Sequence, residues 1–205
     1  MKPETDRAWM DQPWVHLCVD MQRLFWPGTD WGLDWMPRIA PKVVEFCDRH
    51  AARTIFTRFI PLDRPGEGVG TWNGYYEKWS SMTLRDLDPD LIELIPELRR
   101  FAPPAEVIDK RVYSPWLDTD IDARLRARGC ATLVVTGGET DMCVLSTVLG
   151  AVDRGYRVIL AEDALCSSSD TAHDITLDLF RRRFGQHVET VELEQVMRDL
   201  EARVD

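Results

Sequence analysis

Cys143 is the residue whose surroundings point most directly to covalent chemistry. A β-branched run ends at Gly137 and Gly138, and a helical pattern begins at residue 142, beside the cysteine. A thiol at the start of a helix lies near unpaired backbone N–H groups, which favour the thiolate and can also hold an oxyanion. The alternative is that Cys143 is a small buried hydrophobic residue, which is the usual state of a free cysteine.

Asp20 and Lys110 are the residues that would complete a nucleophilic site with Cys143. Each of the three comes just after a predicted strand. Ligands of a parallel sheet bind beyond the carboxyl ends of its strands, so the three side chains can meet in one cleft. There Asp20 would accept the thiol proton and return it to a leaving amine, while Lys110 would stabilise both anions. Considered singly, Asp20 is more typical of a turn or cap, and Lys110 beside Arg111 could be surface charge.

Short apolar runs alternate with helical patterns along the chain, which predicts an α/β fold. The predicted strands are 15–19, Thr54–Phe59, 106–109, 132–136, 157–161 and 187–191, and the predicted helices are Met36–His50, 118–128, 142–153, 169–184 and 192–202. This alternation indicates a three-layer α-β-α architecture with a six-stranded, mostly parallel, Rossmann-like sheet. With 205 residues, the chain is expected to form a single domain over 1–205.

Composition and charge narrow the classes of partner. The net charge of −10 and the absence of a Lys/Arg cluster argue against binding to nucleic acid. No run approaches membrane-spanning length, and residues 1–14 lack the apolar segment of a signal peptide. The five cysteines form no CxxC pair and no metal-ligand spacing, and their odd number suggests a reducing compartment. We therefore expect a cytoplasmic protein with a small-molecule substrate, no nucleic acid and no membrane.

Aromatic residues gather near the predicted strand exits, where they could shape a tight apolar pocket for a small planar molecule. The predicted substrate-binding residues are Phe25, Trp116, Trp72, Trp79 and Tyr113. Phe25 and Trp116 are the stronger pocket candidates. The stretch from Trp72 to Trp79 could instead be a lid or a subunit interface, where Trp and Tyr are also enriched.

Five motifs surround the predicted site residues and strand ends: DMQRLF at 20–25, KRVYSPW at 110–116, TGGETDMCV at 136–144, AVDRGY at 151–156 and DA at 163–164. In order and spacing they resemble those of the isochorismatase-like cysteine hydrolases, a superfamily of nicotinamidases, carbamoylsarcosine amidohydrolases and ureide amidohydrolases. The resemblance covers nearly the whole chain, and together with the aromatic stretch it favours a homo-oligomer, either a dimer or a tetramer.

The resemblance also implies roles for individual residues. It implies a catalytic triad of Asp20, Lys110 and Cys143. It implies a cis peptide bond between Gly138 and Glu139, which would aim the Glu139 N–H at the oxyanion together with the Cys143 N–H. A non-proline cis bond persists only where its surroundings fix it.

Two departures from the superfamily limit the activity that can be expected. Nicotinamidases carry an Asp-x-His metal site after the second strand, whereas residues 57–61 contain no histidine. We therefore expect neither a metal nor a cofactor. Glu139 stands where the superfamily often has a small or apolar residue, and its carboxylate could bind a cationic or amide group or could point to solvent.

The sequence therefore predicts a metal-independent cysteine hydrolase. It would cleave a C–N bond of a small amide, carbamoyl or ureide-type substrate through an acyl-enzyme on Cys143. One alternative is vinyl-ether hydrolysis of the isochorismatase type, with Asp20 as the acid and no need for the thiol. An alternative of another class is a thiol redox sensor or binding protein, in which Cys143 is oxidised and nothing is hydrolysed.

Overall fold

A parallel sheet forms the centre of the molecule. The computed structural model describes residues 7–202. Residues 1–6 and 203–205 of the predicted 1–205 domain lie outside the described residues. The strands are β1 (Trp14–Val19), β2 (Thr54–Phe59), β3 (Glu106–Lys110), β4 (Thr132–Gly138), β5 (Arg157–Cys166) and β6 (Val188–Val191). All are parallel, in the order β3-β2-β1-β4-β5-β6. The winding direction reverses between β1 and β4, which is where a ligand cleft is expected.

Helices cover both faces of this sheet. They are α1 (Met36–His50), α2 (Trp72–Lys78), α3 (Pro96–Arg99), α4 (Ile121–Ala127), α5 (Leu145–Asp153), α6 (Asp170–Arg183) and α7 (Leu193–Glu201). Neighbouring strand residues such as Val134 and Val135 face opposite sides of the sheet and belong to different hydrophobic cores. One core joins the sheet to α1, α3 and α7, and the other joins it to α4, α5 and α6. The predicted three-layer α/β fold with six strands is confirmed.

Two helix starts differ from the prediction for local reasons. The helix predicted from residue 118 begins at Ile121, and Asp118 has a φ of 57°, in the left-handed region that a right-handed helix cannot contain. The helix predicted from residue 142 is divided into a π-helical turn, Thr140–Val144, and the regular helix α5. π-helical turns are frequent at functional sites, and this one holds Cys143.

Strand β5 is longer than the predicted 157–161 because its polar residues are paired. Glu162 binds Arg181 of α6. Asp163 accepts hydrogen bonds from Lys42 of α1, at 2.6 Å, and from the Leu193 backbone N–H, at 2.6 Å. The strand can therefore continue through two carboxylates to Cys166, which lies beside the end of β4. No helix in the described part of the chain is long and apolar enough to span a membrane.

Candidate active site

Asp20 is held immediately after β1 in an uncommon backbone conformation. Its φ is 51°, which costs about 1–2 kcal/mol for a residue other than glycine. The Asp20 backbone N–H donates to the Thr57 carbonyl at 3.2 Å, and the Thr57 hydroxyl donates to Asp20 Oδ1 at 2.5 Å. The residue is fully buried. Strained conformations of this kind concentrate at functional sites, where the surroundings hold a side chain in place.

Lys110 joins the other two predicted triad residues. It is the last residue of β3, and its side chain is almost completely buried. Nζ lies 2.7 Å from Asp20 Oδ2, in an ion pair rather than a well-directed hydrogen bond, and 3.3 Å from Cys143 Sγ. Burial alone would lower the pKa of Lys110, but the neighbouring Asp20 and Cys143 raise it above its ordinary value. The ammonium is therefore retained, and it balances the charge of Asp20 inside the protein.

Cys143 lies in the π-helical turn, two residues before α5, and is 6% exposed. Burial raises the pKa of its thiol, Asp20 raises it further, and Lys110 opposes both effects. The thiolate that a helix start favours is thus not the resting form, because burial and Asp20 raise the pKa of the thiol. The geometry instead provides a thiol next to a carboxylate that can accept its proton.

The loop between β4 and Cys143 is fixed by close backbone packing. The Gly138–Glu139 peptide bond is cis. Gly137 has a φ of 103°, and a Cβ there would lie 2.1 Å from the Val19 carbonyl oxygen. A Cβ on Gly138 would lie 2.8 Å from Cys166 Sγ. At Gly137 backbone atoms exclude a side chain, and at Gly138 a side chain would displace Cys166, so the two glycines let β4 approach its neighbours and turn directly into the nucleophile loop.

A buried hydrogen-bond chain supports the same loop from the side of α6. The Thr140 hydroxyl donates to the Cys166 carbonyl at 3.0 Å and lies 2.9 Å from His173 Nδ1. Since that hydroxyl proton is used, His173 Nδ1 is the donor to the Thr140 oxygen. Burial lowers the pKa of His173, which agrees with a neutral ring. His173 is therefore a buried residue of α6 that supports Thr140.

A cleft of about 440 Å³ opens above Cys143 at the carboxyl ends of the strands. Its lining is mainly aromatic, with several carboxylates. It consists of Phe25, Asp30, Trp31, Gly32, Leu33, Phe59, Tyr75, Trp79, Tyr113, Glu139, Asp141, Met142, Cys143 and Ser168. The structure thus brings Phe25, Trp79, Tyr113 and Glu139 together with Cys143, while Asp20 and Lys110 lie beneath the cysteine.

Two of the predicted substrate-binding residues, Trp116 and Trp72, do not line this cleft. The Trp116 ring stacks on Tyr156 with 5.8 Å between centroids, and its Nε1 donates to the Thr147 carbonyl at 2.8 Å. Trp116 is therefore a core residue, held by α5 and the segment after it. Trp72 packs behind two lining residues, with 5.1 Å between its ring centroid and that of Tyr113 and 5.3 Å to that of Tyr75.

Trp31, Asp30 and Asp141 line the cleft and were not predicted from sequence. Trp31 and Asp30 belong to an irregular loop between β1 and α1, where no periodic pattern indicates which way a side chain points. Asp141 lies two residues before Cys143, and that proximity was the one available signal. Glu139, for which the sequence left two possibilities, borders the cleft and accepts hydrogen bonds from the backbone N–H of Ser168, at 3.0 Å, and from its hydroxyl.

Potential metal ligands are dispersed in the part of the chain that the structure describes. No group of three or more His, Cys, Asp or Glu residues there could hold a metal ion. His16, for example, is buried in β1, with its ring nitrogens 3.0 Å from the Thr54 hydroxyl and 2.8 Å from the Thr136 hydroxyl. Residues 57–61 continue from β2 into a Pro61 loop.

The fold and this site geometry can be compared with known proteins. The Isochorismatase domain matches residues 15–192. The uncharacterized isochorismatase family protein YwoC of Bacillus subtilis is 35% identical over 112 residues, which is 54% of this chain and 59% of the relative. Across three bacterial relatives of this kind the aligned segments span 38% to 59% of their length, so the chain spans about half the length of the curated relatives it matches.

Solved structures extend the similarity to almost the whole chain. A cysteine hydrolase from Pseudomonas syringae pv. phaseolicola 1448A has a TM-score of 0.78 and 26% identity, covering 93% of both chains. An N-carbamoylsarcosine amidase from Thermoplasma acidophilum has a TM-score of 0.68 and 26% identity, covering 88% of this chain and 96% of the other. The predicted family resemblance is confirmed, and the chain belongs to the isochorismatase family.

Proposed function

We propose that the protein is a metal-independent cysteine hydrolase that cleaves a C–N bond of a small amide, carbamoyl or ureide-type substrate. The observation that carries this proposal is the contact of one buried ammonium, Lys110 Nζ, with both Asp20 Oδ2 at 2.7 Å and Cys143 Sγ at 3.3 Å. The sulfur of that cluster lies in the wall of a cleft large enough for a small molecule. A thiol, a proton acceptor and a fixed cation in contact are the parts that thiol-dependent acyl transfer requires.

The first half of the reaction forms an acyl-enzyme. Asp20 takes the Cys143 proton as Sγ attacks the substrate carbonyl carbon, and the carbonyl oxygen gains the negative charge. The backbone N–H groups of Glu139 and Cys143 are the proposed donors to that oxyanion. Asp20 then gives its proton to the substrate nitrogen, the C–N bond breaks, and ammonia or an amine leaves a thioester on Cys143.

The second half releases the acid. Asp20 removes a proton from water, whose oxygen attacks the thioester carbon, and the C–S bond breaks as the tetrahedral intermediate collapses. The sulfur leaves as a thiolate and regains the proton from Asp20. Lys110 keeps its charge throughout and stabilises whichever of Asp20 and Cys143 is anionic.

The raised pKa of Cys143 favours hydrolysis over redox sensing. Redox-sensor cysteines have a low pKa and are accessible, because the thiolate is the form that is oxidised. Here burial and Asp20 keep the resting sulfur protonated. Proton transfer to Asp20 would therefore accompany attack on a bound substrate. A solved relative named as an amidase, the N-carbamoylsarcosine amidase, also supports C–N chemistry.

Ammonia release tests the proposal directly. Wild-type protein and Cys143→Ala would be compared on a panel of small amides, carbamoyl compounds and ureides, with and without EDTA. We expect release by the wild type that EDTA leaves unchanged and that falls by at least about 10³-fold in Cys143→Ala. Thermal unfolding of both proteins checks that the variant is folded. Full ammonia release by a folded Cys143→Ala protein would contradict the mechanism, because C–N cleavage would then not need the thiol.

A further inference from the structure

We infer that the substrate of this cleft carries a positive charge. Aromatic rings and three carboxylates, each hydrogen-bonded to a serine, surround the reactive thiol, and no cationic side chain lines the same cavity. This inference rests on the proposed function, since it names the class of amide or carbamoyl compound on which that chemistry would act. The cationic group, an ammonium for example, would lie among the rings and carboxylates while the carbonyl carbon lies next to Cys143.

Much of the cleft wall is formed by aromatic rings that pack on one another. Trp31 is at their centre, with ring-centroid distances of 6.2 Å to Phe25, 5.9 Å to Phe59, 5.9 Å to Tyr75 and 6.3 Å to Trp79. Aromatic faces attract ammonium groups through the ring quadrupole, most strongly where water is excluded.

Two lining rings already hold ammonium groups of the protein itself. Lys78 Nζ lies 5.0 Å from the centroid of Trp79, and Lys110 Nζ lies 5.1 Å from that of Phe59. The wall is thus chemically suited to cations, and both of these ammonium groups belong to side chains outside the cavity lining.

The three lining carboxylates are oriented by neutral donors. Asp30 Oδ2 accepts from the Ser81 hydroxyl at 2.6 Å, and Asp141 Oδ1 accepts from the Ser167 hydroxyl at 2.5 Å. Glu139 accepts from the backbone N–H and the hydroxyl of Ser168. A serine hydroxyl fixes the direction of a carboxylate without cancelling its charge. The three groups therefore present directed negative charge to the cavity.

No ion pair offsets this charge within residues 7–202. None of Asp30, Glu139 and Asp141 is paired there, whereas every acidic residue of β3 and β5 is paired with a lysine or an arginine. The charge of Lys110 is matched by Asp20. His173, whose pKa Asp141 influences, stays neutral because burial lowers that pKa. A cleft lined by one sign of charge concentrates ligands of the opposite sign.

Binding to Cys143→Ala protein separates this inference from turnover. The probes are three amides of similar shape: 4-(aminomethyl)benzamide, which is cationic, 4-methylbenzamide, which is neutral, and 4-carbamoylbenzoate, which is anionic. By titration calorimetry we expect the cation to bind at least about tenfold more tightly than the neutral amide, and the anion to bind most weakly. The preference for the cation should shrink at about 300 mM salt, where charges are screened within a few ångströms.

Matched variants locate the source of the preference. Asp30→Asn and Asp141→Asn should each reduce the cation-to-neutral affinity ratio by about threefold to tenfold. Asp48→Asn removes the same charge from an exposed position on α1 and should leave the ratio unchanged. Equal affinities for cation and neutral amide, tighter binding of the anion, or no measurable binding of the cation would each overturn the inference.

Ammonia release from the same compounds by wild-type protein tests the proposed function separately. Hydrolysis that depends on Cys143 but shows no charge preference would overturn this inference and leave the proposed function standing. Selective binding of the cation without hydrolysis of any amide in the panel would overturn the proposed function and leave the charge preference of the cleft standing.

Discussion

A single buried ammonium contacts both of the other residues of the predicted triad. Lys110 contacts Asp20 and Cys143 inside the protein, where the effect of each charge on the others is strong because water is absent. Asp20 raises the pKa of Cys143, and Lys110 opposes this effect. The resting cluster is best described as an ion pair of Lys110 and Asp20 next to a neutral thiol. Substitution of any member should change the other two.

Replacing Asp20 with Asn is expected to make Cys143 more reactive while abolishing turnover. The carboxylate that raises the pKa of the thiol is removed, and Lys110 then has only Cys143 to neutralise it. Alkylation of Cys143 by iodoacetamide near pH 7 should become at least about tenfold faster, because the thiolate is the nucleophile. Ammonia release should fall by at least about 10³-fold, because the proton acceptor is lost. Peptide mass mapping of Cys143 and the ammonia assay provide the two measurements.

Lys110→Met is the matched control for that experiment. It should slow alkylation, because the group that lowers the pKa of Cys143 is removed. It should also destabilise the fold by about 3–5 kcal/mol, because Asp20 is left as an unpaired buried charge. If Asp20→Asn slowed alkylation and Lys110→Met accelerated it, this electrostatic description of the cluster would be refuted.

The meeting of the three reactive residues can be predicted from sequence more readily than the residues that line the cleft around them. Asp20, Lys110 and Cys143 could be placed together because strand ends of a parallel sheet meet at one edge, whatever the loop geometry. Trp116 was assigned to the pocket from its motif, which carries no information on side-chain direction, and it packs on Tyr156 instead. Trp31 was missed because its loop has no periodicity from which a direction can be inferred.

Strand β1 connects the two halves of the sheet through a buried histidine. His16 lies between the Thr54 hydroxyl of β2 and the Thr136 hydroxyl of β4, and it is fully buried. Burial, with a smaller contribution from His50, lowers the pKa of His16 to about 3. The folded protein therefore holds the ring neutral across almost the whole acidic range.

This histidine is expected to make the protein sensitive to acid. The unfolded chain takes up a proton below about pH 6.5, while the folded protein does not until about pH 3, so stability is full above 6.5 and falls as the pH decreases. The loss from His16 alone is about 1.4 kcal/mol per pH unit in that range. Urea unfolding from pH 7 to pH 4 should show a steeper loss for the wild type than for His16→Gln, which cannot titrate. If the free energy of unfolding fell equally steeply with decreasing pH in both proteins, His16 would not be a source of the acid sensitivity.

The approach of β4 to β1 depends on Gly137. Alanine at this position would place Cβ 2.1 Å from the Val19 carbonyl oxygen, in addition to the cost of a φ of 103°. Gly155→Ala is the control, because Gly155 also has a positive φ, 82°, but a Cβ there has nothing within 4 Å. Gly137→Ala should lower the free energy of unfolding by at least about 2 kcal/mol more than Gly155→Ala, as measured by urea unfolding. Equal losses of unfolding free energy in the two variants would show that the backbone around Gly137 can move to accommodate a Cβ.

The first and last residues of a helix can be predicted from sequence where the hydrophobic pattern is regular. They cannot be predicted where local backbone geometry changes the type of helix. Met36–His50 was predicted to the residue because its apolar positions, including Ile39, Val43 and Phe46, follow a helical period. The sequence predicts a regular helix from residue 142, whereas residues 142–144 belong to the π-helical turn Thr140–Val144, since hydrophobic spacing does not distinguish the two helix types over so few residues.

At the scale of the whole molecule, the sequence predicts a homo-oligomer, and we propose a dimer or a tetramer in the cytoplasm. Exposed apolar side chains are consistent with association. Ile175 and Leu179 lie one turn apart on α6 and are 64% and 39% exposed. Sedimentation velocity should give a mass of two or four times that of one chain, without dependence on salt. A single species with the mass of one chain would contradict this prediction.

The central claim is that hydrolysis proceeds through a thioester on Cys143. Wild-type protein and Cys143→Ala would be mixed with an amide that the wild type hydrolyses, quenched in acid during turnover and measured by intact-protein mass spectrometry. We predict a wild-type adduct whose added mass equals the substrate minus ammonia, located on Cys143 by peptide mapping, and no adduct and no turnover in the variant. Continued hydrolysis by Cys143→Ala, with no adduct in either protein, would contradict the account.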